Sequence, residues 1–260
     1  MNKPIIRKAC RMDDTALNGL VEVSDLHIRY GSYEAVKGVS FSLGDGEILG
    51  IVGESGSGKS TIAKAIMGLQ KPSSGKIEIA PDTGIQMIFQ DAVGSLNPRM
   101  TVRQTLEEVI KIKGRRKKEE GRDAEGLLSL VGLSKAVLDQ YPREMSGGQC
   151  QRVSIARALA CEPRVLVADE PVSALDVSVQ ARVLNLLRDL CHDLGVSIIL
   201  IAHDLAVVKN VCDRICVMEK GRFVDEGDPE SVFSSPSSDY TRRLLAAVPR
   251  IRQPLETRQA

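Results

Sequence analysis

Residues 53–60 read GESGSGKS, a glycine followed by four variable positions and then Gly-Lys-Ser. This is the pattern of a phosphate-binding loop, in which glycines let the backbone curl so that its N–H groups point at phosphate oxygens. Lys59 can reach the β- and γ-phosphates of a nucleotide, and the Ser60 hydroxyl can bind Mg²⁺. The other residues predicted to bind the nucleotide are Gly53, Glu54, Ser55, Gly56, Ser57, Gly58 and Thr61.

The sequence on either side of the loop supports this interpretation. Residues 47–52, EILGIV, are typical of a buried strand, and residues 61–69 carry apolar side chains at helical spacing. A strand, a glycine loop and a helix therefore follow one another in the order that a phosphate-binding loop requires. The helix would turn its positive N-terminal end towards the phosphates.

Two acidic residues and a histidine follow other predicted strands. Residues 165–168, VLVA, form a buried strand that ends at Asp169 and Glu170, and His203 follows the apolar residues 197–202. Ligands of open α/β sheets gather at the carboxyl ends of the strands, so we expect all three side chains at one edge. There Asp169 would join the Mg²⁺ shell, and Glu170 would orient or deprotonate an attacking water.

A second glycine motif, SGGQ, comprises Ser146, Gly147, Gly148 and Gln149 at the start of a predicted helix. A hydroxyl, free N–H groups and a positive helix end suit a γ-phosphate. Taken alone, the motif is also compatible with an ordinary helix cap.

The order of elements predicts an α/β fold. Residues 21–30 and 39–43 alternate apolar and polar side chains, as in a small antiparallel sheet, and helical spacing dominates residues 101–138. Strands and helices alternate after residue 152, which indicates a largely parallel core sheet. We predict a polar leader over residues 1–19, one ATPase domain over residues 20–249 with a helical subdomain at about 91–160, and a tail over residues 250–260.

Composition excludes several classes of protein. The 260 residues include 35 basic and 34 acidic side chains, a net charge of +1, so no general field favours nucleic acid. The 6 cysteines form no CxxC pair or zinc-type spacing, which favours reduced thiols in a cytosolic protein. We expect no secretory signal and no membrane span, since the longest apolar run is too short to cross a bilayer. The charged residues 113–123 are interpreted as a solvated surface, with a lipid or subunit contact as the alternative.

Together these motifs resemble the nucleotide-binding subunits of ATP-binding-cassette transporters, from about residue 21 to residue 249. The resemblance assigns SGGQ to the family signature, the SALD at residues 173–176 to the D-loop, Gln90 to the Q-loop and a further Mg²⁺ contact, and His203 to the switch histidine. Tyr30 matches the aromatic residue that stacks on adenine. The family implies a P-loop ATPase that works as a head-to-tail dimer, in which the phosphate loop of one subunit and the signature of the other enclose the same ATP.

Three longer stretches are similar to the ATPases of oligopeptide, dipeptide and nickel importers: residues 89–102, 169–187 and 239–249. This similarity implies membrane permease subunits and a substrate-binding protein as partners, and a peripheral location on the cytoplasmic face of the membrane. It also implies that Gln90 links the γ-phosphate to the permease. Two positions depart from the usual pattern, because Met145 replaces a common leucine and Cys150 a common arginine.

Other cassette proteins fit less well. A DNA-repair ATPase would place a long coiled coil between the two glycine motifs, and a translation factor would carry two cassettes. A non-catalytic cassette would be expected to lack Lys59, Glu170 or His203, which are all present. A nickel or other small-solute importer and a cassette subunit of a carbon–phosphorus lyase complex remain alternatives to a peptide importer.

Overall fold

The structure is a computed structural model that describes residues 19–112 and 123–247. The strands are β1 (Val21–Tyr30), β2 (Tyr33–Leu43), β3 (Ile48–Val52), β4 (Ser74–Ile79), β5 (Ile85–Ile88), β6 (Val165–Asp169), β7 (Ser197–Ala202), β8 (Arg214–Glu219) and β9 (Arg222–Gly227). The helices are α1 (Lys59–Ile66), α2 (Ala92–Ser95), α3 (Val102–Ile112), α4 (Ala124–Leu130), α5 (Gly147–Leu159), α6 (Val177–Leu194), α7 (Leu205–Val208), α8 (Pro229–Ser234) and α9 (Asp239–Ala247). Short 3₁₀ turns lie at Lys135–Val137 and Pro142–Glu144.

A six-stranded sheet with the order β5-β6-β7-β3-β8-β9 forms the centre of the fold. Its first five strands are parallel, and only β9 runs antiparallel, against β8. The predicted α/β fold with a largely parallel core sheet is therefore confirmed. The carboxyl ends of β5, β6, β7 and β3 meet at one edge, which is the edge that the phosphate loop enters.

Both faces of this sheet are covered, which explains why its central strands are apolar without interruption. Side chains of β6 alternate between the faces: Leu166 and Ala168 pack with α5 and α6, whereas Val165 and Val167 pack with α1, β1 and β2. The neighbouring strands β3 and β7 alternate in the same way, because successive strand residues point to opposite faces. The sheet thus separates two hydrophobic cores.

The second sheet is antiparallel and has the order β2-β1-β4. The predicted antiparallel pair is confirmed, but β2 begins at Tyr33, six residues before the expected start. Strand β4 was not predicted, since four of its six residues are exposed and the strand gives little apolar signal. Register shifts interrupt β1 around Asp25, whose φ is 46°, so this strand departs from simple alternation.

The helices α2 to α5 lie between β5 and β6, where the helical region was expected. The charged residues 113–122 lie outside the described residues; Asp123, which follows them, caps α4 by accepting a hydrogen bond from the Gly126 N–H at 2.9 Å. The leader and tail also lie outside the described residues, apart from Gly19. The domain boundaries and the interpretation of the charged stretch stay predictions.

Within the described residues, no helix combines the length and the apolar character needed to cross a bilayer. The five cysteines described are free thiols, and Cys150, Cys191, Cys212 and Cys216 are buried. Burial raises the pKa of Cys191 to about 11, so this thiol is protonated at neutral pH. Cys150, which replaces a common arginine, faces the core rather than the surface. This position therefore makes no basic contact at the surface.

Candidate nucleotide-hydrolysis site

The phosphate loop joins β3 to α1 and contains two glycines in the left-handed region, Gly56 at φ 81° and Gly58 at φ 114°. These are conformations that residues with a side chain rarely adopt. Gly53 meets a different requirement, because a Cβ there would collide with the carbonyl oxygen of Met218. Helix α1 begins at Lys59, two residues before the predicted start, so the lysine and Ser60 lie in its first turn.

The ammonium group of Lys59 lies inside the loop. The residue is 4% exposed, and its Nζ donates to the carbonyl oxygens of Gly53 at 2.7 Å and Glu54 at 2.8 Å. Burial lowers the pKa of Lys59, while the carboxylates of Glu170, Asp169 and Glu54 act in the opposite direction. Carbonyl groups of the loop therefore hold the Lys59 ammonium group at the place where phosphate oxygens would bind.

The two residues predicted to bind Mg²⁺ most directly are in contact. Ser60 Oγ donates a hydrogen bond of 2.9 Å to Asp169 Oδ1 at the end of β6. Burial raises the pKa of Asp169, and the hydrogen bond from Ser60 opposes this shift. Among the described residues no group of three or more His, Cys, Asp or Glu side chains could enclose a metal. The hydroxyl and carboxylate fit Mg²⁺, which commonly uses one or two protein carboxylates and completes its shell with substrate phosphates and water.

Glu170 is the point at which three strand ends converge. Its Oε2 accepts a hydrogen bond of 3.2 Å from Gln90 Nε2, after β5, and lies 3.5 Å from His203 Nδ1, after β7. Its N–H donates to the Ile201 carbonyl at 3.0 Å. Glu170 also has a φ of 46°, an unusual conformation for a residue with a side chain and one that often marks functional sites.

A cleft of about 330 Å³ lies beside these groups. It is lined by Tyr30, Tyr33, Ala35, Ser55, Gly56, Gly58, Lys59, Ser60, Thr61, Gln90 and Glu170. Tyr30 is 46% exposed, so its ring is free to receive a planar base. The structure thus brings together the predicted aromatic residue, most of the phosphate loop and two of the predicted catalytic side chains.

The sequence did not indicate two residues of this site. Tyr33 pairs with Tyr30 across the β1–β2 turn and lines the same cleft; the only signal was a second tyrosine three positions away. Ser173 Oγ lies 3.2 Å from Gln90 Nε2 and donates to the Glu170 carbonyl at 3.1 Å. This serine belongs to the SALD stretch, but its contact with Gln90 depends on the pairing of distant strands.

The SGGQ motif does not line the cleft within the described chain. Ser146 is the N-cap of α5: its Oγ accepts from the Gln149 N–H at 3.3 Å, and Gln149 Oε1 accepts from the Ser146 N–H at 2.8 Å. This reciprocal capping box leaves Ser146 and Gly147 exposed at a helix N-terminus. Helix α5 begins at Gly147, so the motif stands at the start of a helix, as predicted. The motif therefore does not face the cleft of its own chain.

Comparison with known proteins agrees with this geometry. A family model described as "ABC transporter" matches residues 36–173, a span that holds the phosphate loop, the SGGQ motif and Glu170.

Similar curated proteins are named as oligopeptide transport ATP-binding proteins. OppF of Salmonella typhimurium is 44% identical over 261 residues, covering 88% of this chain and 78% of that protein. OppF of Lactococcus lactis subsp. lactis is 46% identical over 232 residues, covering 84% of this chain and 73% of its own. OppD of Mycobacterium bovis is 47% identical over 233 residues, which cover 84% of this chain and 38% of OppD.

Solved structures show the same fold. A dimeric ATP-binding cassette in a post-hydrolysis state, bound to ADP and Pi, superposes with a TM-score of 0.68 at 30% identity, covering 80% of this chain and 98% of that one. CbiO1 from Clostridium perfringens, part of an ABC transporter complex, gives a TM-score of 0.74 at 29% identity, covering 90% and 98% of the two chains. With a family model over more than half of its length and relatives above 40% identity, the chain belongs to the ABC transporter family.

Proposed function

We propose that this chain is the ATP-hydrolysing subunit of an importer for oligopeptides. The observation that carries the proposal is the convergence of Gln90 and His203 on Glu170, next to a phosphate loop with a buried lysine. The oligopeptide class is supported by the names of the relatives at 44–47% identity, since all of those cited are oligopeptide transport proteins.

Each side chain has a physical task in this proposal. The loop N–H groups and Lys59 bind the phosphates of ATP, and Tyr30 stacks on the base. Glu170 orients the attacking water and accepts its proton, while Gln90 and His203 hold the carboxylate in place. Ser60, Asp169 and Gln90 would hold Mg²⁺, which when bound neutralises charge on the phosphate oxygens.

A second ATPase subunit completes the site. Ser146 and Gly147 are exposed at the start of α5 and lie outside the cleft of their own chain. In a head-to-tail dimer these groups serve the ATP held by the partner, which is either a copy of this chain or a related subunit. ATP binding then closes the dimer as a population shift, because the ligand bridges both subunits.

The remaining partners are membrane permease subunits, which place this chain peripherally on the cytoplasmic face of the membrane, and a substrate-binding protein that delivers the peptide. The net charge of only +1 creates no general field that would favour nucleic acid as a partner.

The test is transport by the reconstituted complex. The chain would be co-purified with its permease subunits, placed in proteoliposomes and supplied with ATP, the binding protein and labelled solutes. We expect uptake of oligopeptides and a rise in ATP hydrolysis when peptide-loaded binding protein is present. Uptake of Ni²⁺ without peptide uptake would reassign the chain to the nickel importers. If ATP hydrolysis responds to neither peptides nor Ni²⁺ and the complex instead cleaves carbon–phosphorus bonds, the chain would be reassigned to the carbon–phosphorus lyase complex.

A further inference from the structure

The C-terminal helix α9 reaches the phosphate loop through a buried hydroxyl group. Tyr240, the second residue of α9, is 5% exposed, and its hydroxyl oxygen accepts a hydrogen bond of 2.9 Å from the N–H of Glu54. The two residues are 186 positions apart in the chain. Burial raises the pKa of Tyr240, so the hydroxyl keeps its proton at neutral pH.

This contact lies on the same peptide group that holds the catalytic lysine. The Glu54 N–H and the Gly53 carbonyl belong to one planar trans peptide unit, so they point in opposite directions. The Gly53 carbonyl oxygen accepts from Lys59 Nζ at 2.7 Å. Tyr240 and Lys59 therefore form hydrogen bonds to the two opposite sides of a single peptide group. The rotation of this peptide group sets the position of the Lys59 ammonium group.

Helix α9 is itself fixed to the core sheet. Asp225 of β9 is buried and accepts hydrogen bonds from the N–H groups of Ser237 and Ser238, at 2.8 and 3.0 Å, and from the hydroxyl of Thr241. Thr241 is fully buried. The start of α9 is therefore held rigidly, and the hydroxyl of the adjacent Tyr240 contacts the loop from this fixed position, as a positioning group requires.

We infer that Tyr240 is a positioning residue that pre-orders the phosphate loop and, through the peptide between Gly53 and Glu54, the ammonium group of Lys59. This inference rests on the proposed function and extends it to a residue outside the nucleotide cleft. A tyrosine that only filled space in the core would not need its hydroxyl, and a phenylalanine would replace it equally well. The hydroxyl is therefore the group to test.

The Tyr240→Phe variant keeps the ring and removes the acceptor. The variant loses the ordering of the phosphate loop in the free enzyme. Binding of ATP, of ADP and of the transition state should therefore weaken by the same factor. We expect Kd for both nucleotides and KM for ATP to rise about fivefold, the scale of one hydrogen bond, while kcat at saturating ATP changes by less than about twofold. Tyr141→Phe, at a partly buried tyrosine that does not line the cleft, is the matched control and should leave Kd and KM unchanged.

Thermal unfolding of both variants separates positioning from folding. If Tyr240→Phe lowers Tm but leaves Kd and KM at the wild-type values, Tyr240 is a core residue only and the inference is overturned. A wild-type chain that fails to bind ATP would instead overturn the proposed function, so the two failures are distinguishable.

A double-mutant cycle tests the route through Lys59. If Tyr240 acts through the lysine, Tyr240→Phe should change the ADP Kd much less in a Lys59→Ala background than in the wild type. Equal effects in the two backgrounds would show that the hydroxyl does not act through Lys59 and would overturn that part of the inference. Binding is measured with a fluorescent ADP analogue, which reports weak affinities without requiring turnover.

Discussion

Nδ1 of His203 lies 3.5 Å from Oε2 of Glu170, across the adjacent ends of β7 and β6. Gln90 Nε2 approaches the same carboxylate oxygen, at 3.2 Å. We expect His203→Ala to lower kcat about tenfold to a hundredfold, with Kd for ATP nearly unchanged, because general-base catalysis depends on placement of the base. Steady-state hydrolysis and equilibrium binding together check this. The exposed His192→Ala is the control and should hydrolyse ATP normally.

Replacing Glu170 by Gln removes the base while keeping the shape of the side chain. ATP binding should persist, steady turnover should fall by at least about a hundredfold, and a closed dimer should accumulate with ATP. Size-exclusion chromatography with ATP detects the dimer. Glu125→Gln, an exposed substitution in α4, controls for the change in charge. Normal turnover in Glu170→Gln would remove Glu170 from the site.

Lys59→Ala removes the buried cation of the phosphate loop. Because the ammonium group contacts the phosphates in the proposed site, Kd for ATP should rise by at least about tenfold, the equivalent of roughly 1.4 kcal/mol. Calorimetric titration with ATP measures the change. Lys64→Ala, on the same helix but outside the cleft lining, should retain wild-type affinity. An unchanged Kd in Lys59→Ala would mean that this loop does not bind the nucleotide.

Ser60→Ala removes the hydroxyl that donates to Asp169. If this hydroxyl is a Mg²⁺ ligand, the Mg²⁺ concentration for half-maximal hydrolysis should rise several-fold, whereas Ser60→Thr, which keeps a hydroxyl, should stay close to the wild type. Titration of activity with Mg²⁺ at fixed ATP compares the three proteins. The same half-saturation in all three would argue against a role for this side chain in holding the metal.

Asp225 provides a test of acid stability. Burial acts to raise the pKa of Asp225, but hydrogen bonds from Thr241, Ser237 and Ser238 outweigh it, and the pKa is lowered. A lowered pKa in the folded state stabilises the fold fully above the ordinary carboxyl pKa of about 4, and this stabilisation is lost as the pH falls through the lower folded value. Asp225→Asn should therefore destabilise the protein by about 1–3 kcal/mol at pH 7, with a deficit that shrinks below pH of about 4.

Thermal unfolding of Asp225→Asn and the wild type as a function of pH measures this effect. Asp139→Asn is the control, since Asp139 is exposed and pairs with Arg103 at the surface, where an ion pair contributes little. A Tm difference between Asp225→Asn and the wild type that does not change with pH would show that ionisation of Asp225 plays no part.

Local sequence signals predicted the parts of the fold that depend on neighbouring residues. The strand, loop and helix around Lys59 are continuous in the chain, and the apolar runs of β6 and β7 follow from burial on both faces. Strands β4 and β5 were missed because they are short and partly exposed. The positions of Asp169, Glu170 and His203 followed from the rule that strand ends share an edge.

Two other contacts between distant segments could not be predicted in this way. Ser173 meets Gln90 only because β5 pairs with β6, and the Tyr240 hydroxyl meets Glu54 only because Asp225 fixes α9. Neither contact leaves a periodic pattern in the sequence. The need for glycine at position 53 is of the same kind, since it arises from the approach of the Met218 carbonyl.

The pairing of β5 with β6 affects how the length of this chain can vary. The chain leaves the sheet after Ile88 and re-enters it at Val165 on the adjoining strand. Both ends of this long excursion, residues 89–164, are therefore fixed by the same four residue pairs between β5 and β6. Residues added or removed between these points need not alter the register of any strand. The excursion can therefore lengthen, shorten or acquire a new surface in the course of evolution while Gln90 and Glu170 stay together.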